Sequence, residues 1–147
     1  MARQLLFWML GATDGHAKNF SLFLRPGESF EMTPLYDVLS VYPLLGEGPG
    51  KLSPHRARLA MAVRGKTAHW HLNKILRRHW QDVGTRYGIA SPSGLTVDAL
   101  IAKVVQHTPT AVHSVQQKLP QGFPQQVAQS IFDGLIQAAE RLGRVYG

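Results

Sequence analysis

Asp14 and Asn19 stand five positions apart in the stretch Gly11-Ala12-Thr13-Asp14-Gly15-His16-Ala17-Lys18-Asn19. A second aspartate closes the later run Pro34-Leu35-Tyr36-Asp37. Two carboxylates and an amide in this order suit phosphoryl transfer from a nucleotide. That reaction asks the protein mainly to position groups and to neutralise charge. It needs a carboxylate within reach of the acceptor hydroxyl and hard oxygen ligands for magnesium. In that chemistry Asp14 orients and deprotonates the attacking hydroxyl, worth ~10²–10⁴-fold for a well-placed base. Asn19 gives a side-chain oxygen to Mg²⁺, Asp37 bridges metal and phosphates, and Lys18 and His16 face the γ-phosphate. Each residue taken singly has a plainer reading. Asp14-Gly15 is a turn dipeptide, Asn19 a strand-edge or capping residue, His16 a hydrogen-bonded loop residue, and Asp37 a helix N-cap. The ordered set favours the chemistry: apolar helix, Asp-x-x-x-x-Asn loop, hairpin, Asp.

The flanking elements must present these groups. Ala2 to Leu10 reads as a short, strongly apolar helix with Gly11 as its C′ residue. Asn19 to Leu24 alternates as a strand, Arg25-Pro26-Gly27-Glu28 is turn chemistry, and Ser29 to Met32 returns as a second strand. Tyr42 to Pro54 is rich in Gly and Pro and reads as a surface loop, and Leu59 to Val63 as another strand. After Gly65 the pattern turns helical: Trp70, Ile75, Trp80 and Val83 mark a helix ending before Gly88. Ser91-Pro92-Ser93 opens a second with Leu95, Leu100, Ile101, Val104 and Val105 on its apolar face. Thr108-Pro109 opens a short third through about Gln117. Phe123-Pro124 opens the last, striped by Val127, Ile131, Leu135, Ala138, Leu142 and Val145.

Composition bounds the alternatives. The 147 residues make one domain, 1–147, large enough to bury about 70% of its unfolded surface. Its 44% apolar content speaks against disorder. No run of apolar residues is long enough to span a bilayer, and the start lacks signal-peptide features, so no membrane association and a cytoplasmic address are expected. Zero cysteines exclude disulfides and thiolate metal sites. Sixteen Lys and Arg against nine Asp and Glu give +7, a balance that favours polyanionic partners.

The eleven-residue loop GATDGHAKNFS followed by TPLYDVLS resembles the HipA family of serine/threonine kinases, the toxin half of bacterial HipBA-type toxin–antitoxin modules. The resemblance extends through LLGEGPGKL, LAMAVRGKTAHWHLNKI, VQQKLPQGFP and the closing RLGRVYG. It implies a mainly α fold: the helical C-terminal lobe of a protein-kinase-like enzyme with one or two small β-hairpins. The catalytic loop then covers 11–21, the metal-binding Asp segment 33–40 and a helical bundle 67–147. Carried over by position, the base is Asp14 and the magnesium ligands are Asn19 and Asp37. The nucleotide-binding residues are His16, Ala17, Lys18, Asn19, Tyr36 and Asp37. The implied cofactors are ATP and Mg²⁺. The implied partners are a HipB-like DNA-binding antitoxin and a translation-linked protein substrate such as an aminoacyl-tRNA synthetase.

The sequence departs from a whole kinase. Thirteen residues precede Asp14, with no glycine-rich loop after a strand and no strand lysine to hold the α- and β-phosphates. The resemblance therefore implies a lobe that is inactive without an N-terminal kinase lobe. The spacings of Lys74, Arg77, Arg78 and Arg86 put several of them on one helix face, either as a solvated surface or as contacts to DNA or a partner. His69, His71 and His79 fit no zinc spacing. Two other functions remain open: a small-molecule kinase of the aminoglycoside-phosphotransferase type, and a non-catalytic antitoxin- or DNA-binding fragment. The position of His16, two residues after Asp14, favours the HipA type over the first.

Overall fold

A computed structural model of the chain describes residues 1–89 and 96–144. The apolar start forms α1 (Ala2–Met9), with Leu5, Phe7, Trp8 and Met9 buried. Gly11 stops it, as its sequence predicts. At φ +61 Gly11 sends its own N–H to the Trp8 carbonyl (3.1 Å) and the next, of Ala12, to that of Phe7 (2.8 Å). These two bonds satisfy carbonyls that a helix end leaves unpaired, and they turn the chain abruptly into the Asp14 loop.

The first hairpin pairs β1 (Leu22–Arg25) with β2 (Ser29–Met32), antiparallel, with Leu22 opposite Met32 and Leu24 opposite Phe30. The strand begins at Leu22 and not at Asn19, because Ala17–Asn19 forms a 3-10 turn capped by its own side chains. All eight strand residues are exposed. Leu22, Leu24, Phe30 and Met32 share one face, since partners across an antiparallel pair point the same way.

The second hairpin corrects the sequence reading. The strand expected at Leu59–Val63 is present as β3 (Arg58–Arg64), but it pairs with β4 (Ala68–His71), where a helix was expected. Trp70 lies on that strand, and Ile75 lies just past a 3-10 turn (Leu72–Lys74), fully buried. The helical part thus begins at Arg77 and not at residue 67. α2 (Arg77–Tyr87) keeps Trp80 and Val83 on its inner face and ends before Gly88, which takes the left-handed conformation.

α3 (Val97–Gln116) is one continuous helix. The break expected at Pro109 does not occur. Proline there removes one backbone N–H from the helix, and the preceding Thr108 spends its hydroxyl on the Val104 carbonyl at 2.7 Å. The residues expected to open this helix, Ser91-Pro92-Ser93, and Leu95 of its apolar face lie outside the described residues, as does Val145. α4 (Gln125–Gly143) follows the predicted stripe. α3 and α4 pack along each other, and α1, β3, α2 and α4 close on one core of Leu5, Trp8, Leu59, Val63, Ile75, Trp80, Ile101 and Leu142. At its centre the Trp8 and Trp80 rings meet edge-on, 6.0 Å between centroids. The indole N–H of Trp8 donates to the Leu72 carbonyl at 3.1 Å, and Arg141 donates to the Asn73 and Ile75 carbonyls at 2.9 and 3.0 Å. These bonds fasten α1 and α4 to the turn that leads into α2.

Candidate functional site

The loop that carries Asp14 is held on both sides. The Thr13 carbonyl accepts the Ala60 N–H of β3 at 2.9 Å, and the Gly11 carbonyl accepts the Val41 N–H at 3.0 Å. The second bond ties the segment after Asp37 to the head of the loop. Gly15 is buried against the ring of Phe7. A Cβ placed there would lie 2.2 Å from a ring carbon, so only glycine lets the loop pass this close. Phe7 in turn meets Phe20, 5.4 Å between centroids. Below the loop, the hydroxyl of Tyr42 donates to the Met9 carbonyl at 2.9 Å. Burial pushes that phenol up to about 12, against the opposing influence of Arg141.

Asn19 is the buried centre of the site, 3% exposed. Its Oδ1 accepts the His16 N–H at 3.0 Å and its Nδ2 donates to Asp37 Oδ2 at 2.8 Å. A backbone donor on one side and a carboxylate acceptor on the other fix the orientation of the amide. His16 Nδ1 accepts the Lys18 N–H at 3.4 Å, completing a reciprocal cap on the turn. Asp37 sits in the left-handed region at φ +54, which costs an L-residue about 1–2 kcal/mol and is tolerated best by short polar side chains. Strain of this kind persists where the surroundings dictate the conformation, and it gathers at functional sites.

The structure therefore brings Asn19 and Asp37 into contact and sets His16, Ala17, Lys18 and Tyr36 around them. His16, Lys18 and Tyr36 are exposed, as is Asp14, whose side chain has no partner among the described residues. The Tyr36 hydroxyl donates to the Lys18 carbonyl at 3.0 Å and lies 2.8 Å from Ser21 Oγ. Ser21, Phe7 and Gly15 were not singled out by the sequence. Only the glycine left a signal, as half of the Asp14-Gly15 turn dipeptide.

A magnesium ion suits the donor set. Asn19 Oδ1 keeps a second lone pair and Asp37 keeps its other oxygen, both hard donors. Magnesium needs only one or two protein groups when phosphates and water fill the remaining positions. No group of three or more His, Cys, Asp or Glu is gathered for a metal among the described residues. His69 and His79 stack face to face at 3.6 Å and 9°, so their in-plane lone pairs run parallel and do not converge on an ion. His79 Nδ1 accepts the Leu76 N–H at 3.1 Å, capping α2. Burial, then His69 and Arg78, hold its pKa below the ordinary value, against Asp82.

The four basic residues divide. Arg77 pairs with Asp98 at 2.7 Å and donates to the Leu142 carbonyl, while Arg86 donates to the Gly65 carbonyl at 2.8 Å. Lys74 and Arg78 are exposed. Arg58 and Lys74 both act on His71, whose pKa is lowered by desolvation first and then by these two cations.

Fold and site together describe a small, mainly helical domain in which one loop and one post-hairpin segment bring an asparagine and an aspartate into contact beside an exposed aspartate. The chain belongs to the HipA-like C-terminal domain family, whose model matches residues 1–112. It is similar in fold to a chain in the structure of the Shewanella oneidensis MR-1 toxin–antitoxin system HipA, HipB and its operator DNA complex. That match has a TM-score of 0.69 and 23% identity, and covers 95% of this chain. The present chain spans 30% of the length of that neighbour. No helix among the described residues is long and apolar enough to cross a membrane.

Proposed function

We propose that this chain is the catalytic-loop lobe of a HipA-type protein kinase that transfers the γ-phosphate of ATP to a serine or threonine hydroxyl of a protein. The observation that carries the reading is the contact between Asn19 and Asp37 at 2.8 Å, with Asp37 held at φ +54 to make it. A left-handed aspartate fixed by the amide N–H of a buried asparagine is costly as a mere turn, and leaves the other Asp37 oxygen and the second lone pair of Asn19 Oδ1 as donors for a cation. Asp14 takes the proton of the attacking hydroxyl as the new oxygen–phosphorus bond forms and the bond from the γ-phosphorus to the β-bridging oxygen breaks, releasing ADP. Asn19 and Asp37 would hold magnesium, which would supply neutralisation of the phosphate charge. His16, Ala17, Lys18 and Tyr36 make the nucleotide-facing wall.

The rest of the nucleotide site comes, on this reading, from an N-terminal kinase lobe. The apolar face of Leu22, Leu24, Phe30 and Met32 is a surface suited to it. Family membership supports a HipB-like antitoxin as partner, a translation-related substrate and a cytoplasmic setting. Lys74, Arg78 and Arg86 are exposed, and the first two, with no side-chain hydrogen bond or ion pair among the described residues, are offered to DNA or an acidic partner. The test is phosphate transfer from Mg-ATP with this chain and a family N-terminal lobe supplied together. Transfer should appear only on mixing, require magnesium and disappear with Asp37→Asn. Transfer that is indifferent to Asp37→Asn, or none from a mixture shown to associate, would overturn the proposal.

A further inference from the structure

Tyr36 stands next to Asp37, and two links join this pair to the turn at 18–19. Asn19 Nδ2 donates to Asp37 Oδ2 at 2.8 Å, and the Tyr36 hydroxyl donates to the Lys18 carbonyl at 3.0 Å. A phenol has one proton to give. With that proton on Lys18, the 2.8 Å contact to Ser21 has Ser21 as donor. The result is a chain of hydroxyls, Ser21 to Tyr36 to the Lys18 carbonyl, in which each bond polarises the next. The ring itself is 43% exposed and packs on no core, so its place is set by its hydroxyl.

This arrangement answers a need. Asp37 is in a conformation that L-residues rarely adopt, and a lone hydrogen bond to Asn19 would have to hold it there. The peptide after residue 37 is tied only further on, where Val41 donates to the Gly11 carbonyl. The Tyr36 hydroxyl supplies the fastening on the near side. We propose that Tyr36 is a positioning residue, which through Ser21 and the Lys18 carbonyl fixes the separation of the Asn19 amide and the Asp37 carboxylate and so sets the affinity of that pair for a divalent cation. The metal half of this inference rests on the function proposed above; the positioning half does not.

The experiment uses the full chain labelled with ¹⁵N. The side-chain amide signals of Asn19 are identified by their loss in Asn19→Ser. In Tyr36→Phe, the Asn19 Nδ2 protons should exchange with water on the order of tenfold faster, as a weakened tie lets the pair open. The Mn²⁺ concentration that half-broadens them should rise about fivefold. Ser21→Ala should shift both readouts the same way by less, and Tyr36→Phe with Ser21→Ala should go no further than Tyr36→Phe, because Ser21 acts only through the phenol. The indole signals of Trp8 and Trp80 should stay in place. Unchanged Asn19 exchange in Tyr36→Phe would overturn the proposal, as would fully additive effects of the two substitutions. If Mn²⁺ fails to broaden Asn19 in the wild-type chain, the metal reading falls while the exchange comparison still decides the positioning role. Should Tyr36→Phe not fold, Ser21→Ala decides by the same exchange readout.

Discussion

Replacing Gly15 by alanine tests how the site is held. The added Cβ would sit 2.2 Å from one carbon of the Phe7 ring and 2.7 Å from the next, against an ordinary contact of 3.4–4 Å, so the overlap exceeds an ångström. Neither side yields easily. Phe7 is 1% exposed and packs tilted against Phe20, and the loop is fastened through the Thr13 and Gly11 carbonyls. Overpacking of this kind costs about 1–3 kcal/mol. For a chain of this size that is a fall in Tm of roughly 3–12 °C. Shrinking the ring relieves the overlap, so Gly15→Ala with Phe7→Leu should be more stable than the sum of the single changes predicts, by about 1 kcal/mol or more. Urea denaturation of the four proteins gives the cycle. A Gly15→Ala chain within about 0.5 kcal/mol of wild type, or strict additivity, would refute the argument that Phe7 positions the loop.

Three further outcomes follow from other parts of the fold. His79 is held neutral by burial, with its pKa below the ordinary value, so the unfolded chain takes up that proton first as pH falls below about 6.5. Stability should decline from there toward the folded pKa and then level, and His79→Gln should flatten part of that slope in denaturation curves from pH 7.5 to 5. His71 is lowered in the same direction and adds to the slope. Pro109→Ala restores an N–H inside α3 and should stabilise the chain by up to about 3 kcal/mol; a loss of stability would mean the proline is needed where it stands. Arg77→Ala should lower Tm, because it unties Asp98 and the Leu142 carbonyl. Lys74→Ala and Arg78→Ala should leave Tm unchanged and weaken binding to a DNA duplex, with a shallower salt dependence. Equal effects of all three on Tm would erase that division.

The sequence was most legible where local chemistry and tertiary contacts agree. α1 with its Gly11 stop, the β1–β2 hairpin around Pro26-Gly27, and α4 all carry signals within a few residues. The errors lie where distant contacts decide. The expected helix extends back over Trp70 and Ile75, yet the pairing of β4 with β3 and the burial of Ile75 override it. Pro109 reads as a helix start, but the turns on either side are held by contact with α4. At the site, the loop and the Asp37 segment that carry the candidate residues come together through Asn19 and Asp37. Asn19 reads both as the start of a strand and as a capping residue, and the structure decides for the cap it makes with His16. The contact between Asn19 and Asp37, 18 positions apart, and the hydroxyl chain through Tyr36 depend on how the hairpin returns, which no short-range pattern records.

The proposed phosphotransfer requires Asp14 as its base. The decisive measurement is single-turnover transfer from Mg-ATP to a protein hydroxyl, with this chain joined by an N-terminal lobe, wild type beside Asp14→Asn. Asp14 is exposed and its side chain has no hydrogen-bond or ionic partner among the described residues, so nucleotide affinity and Tm should stay as they are while the transfer rate falls by ~10²–10⁴-fold. A rate within about threefold of wild type would remove Asp14 from the chemistry and, with it, the reading of this loop as a phosphotransfer site.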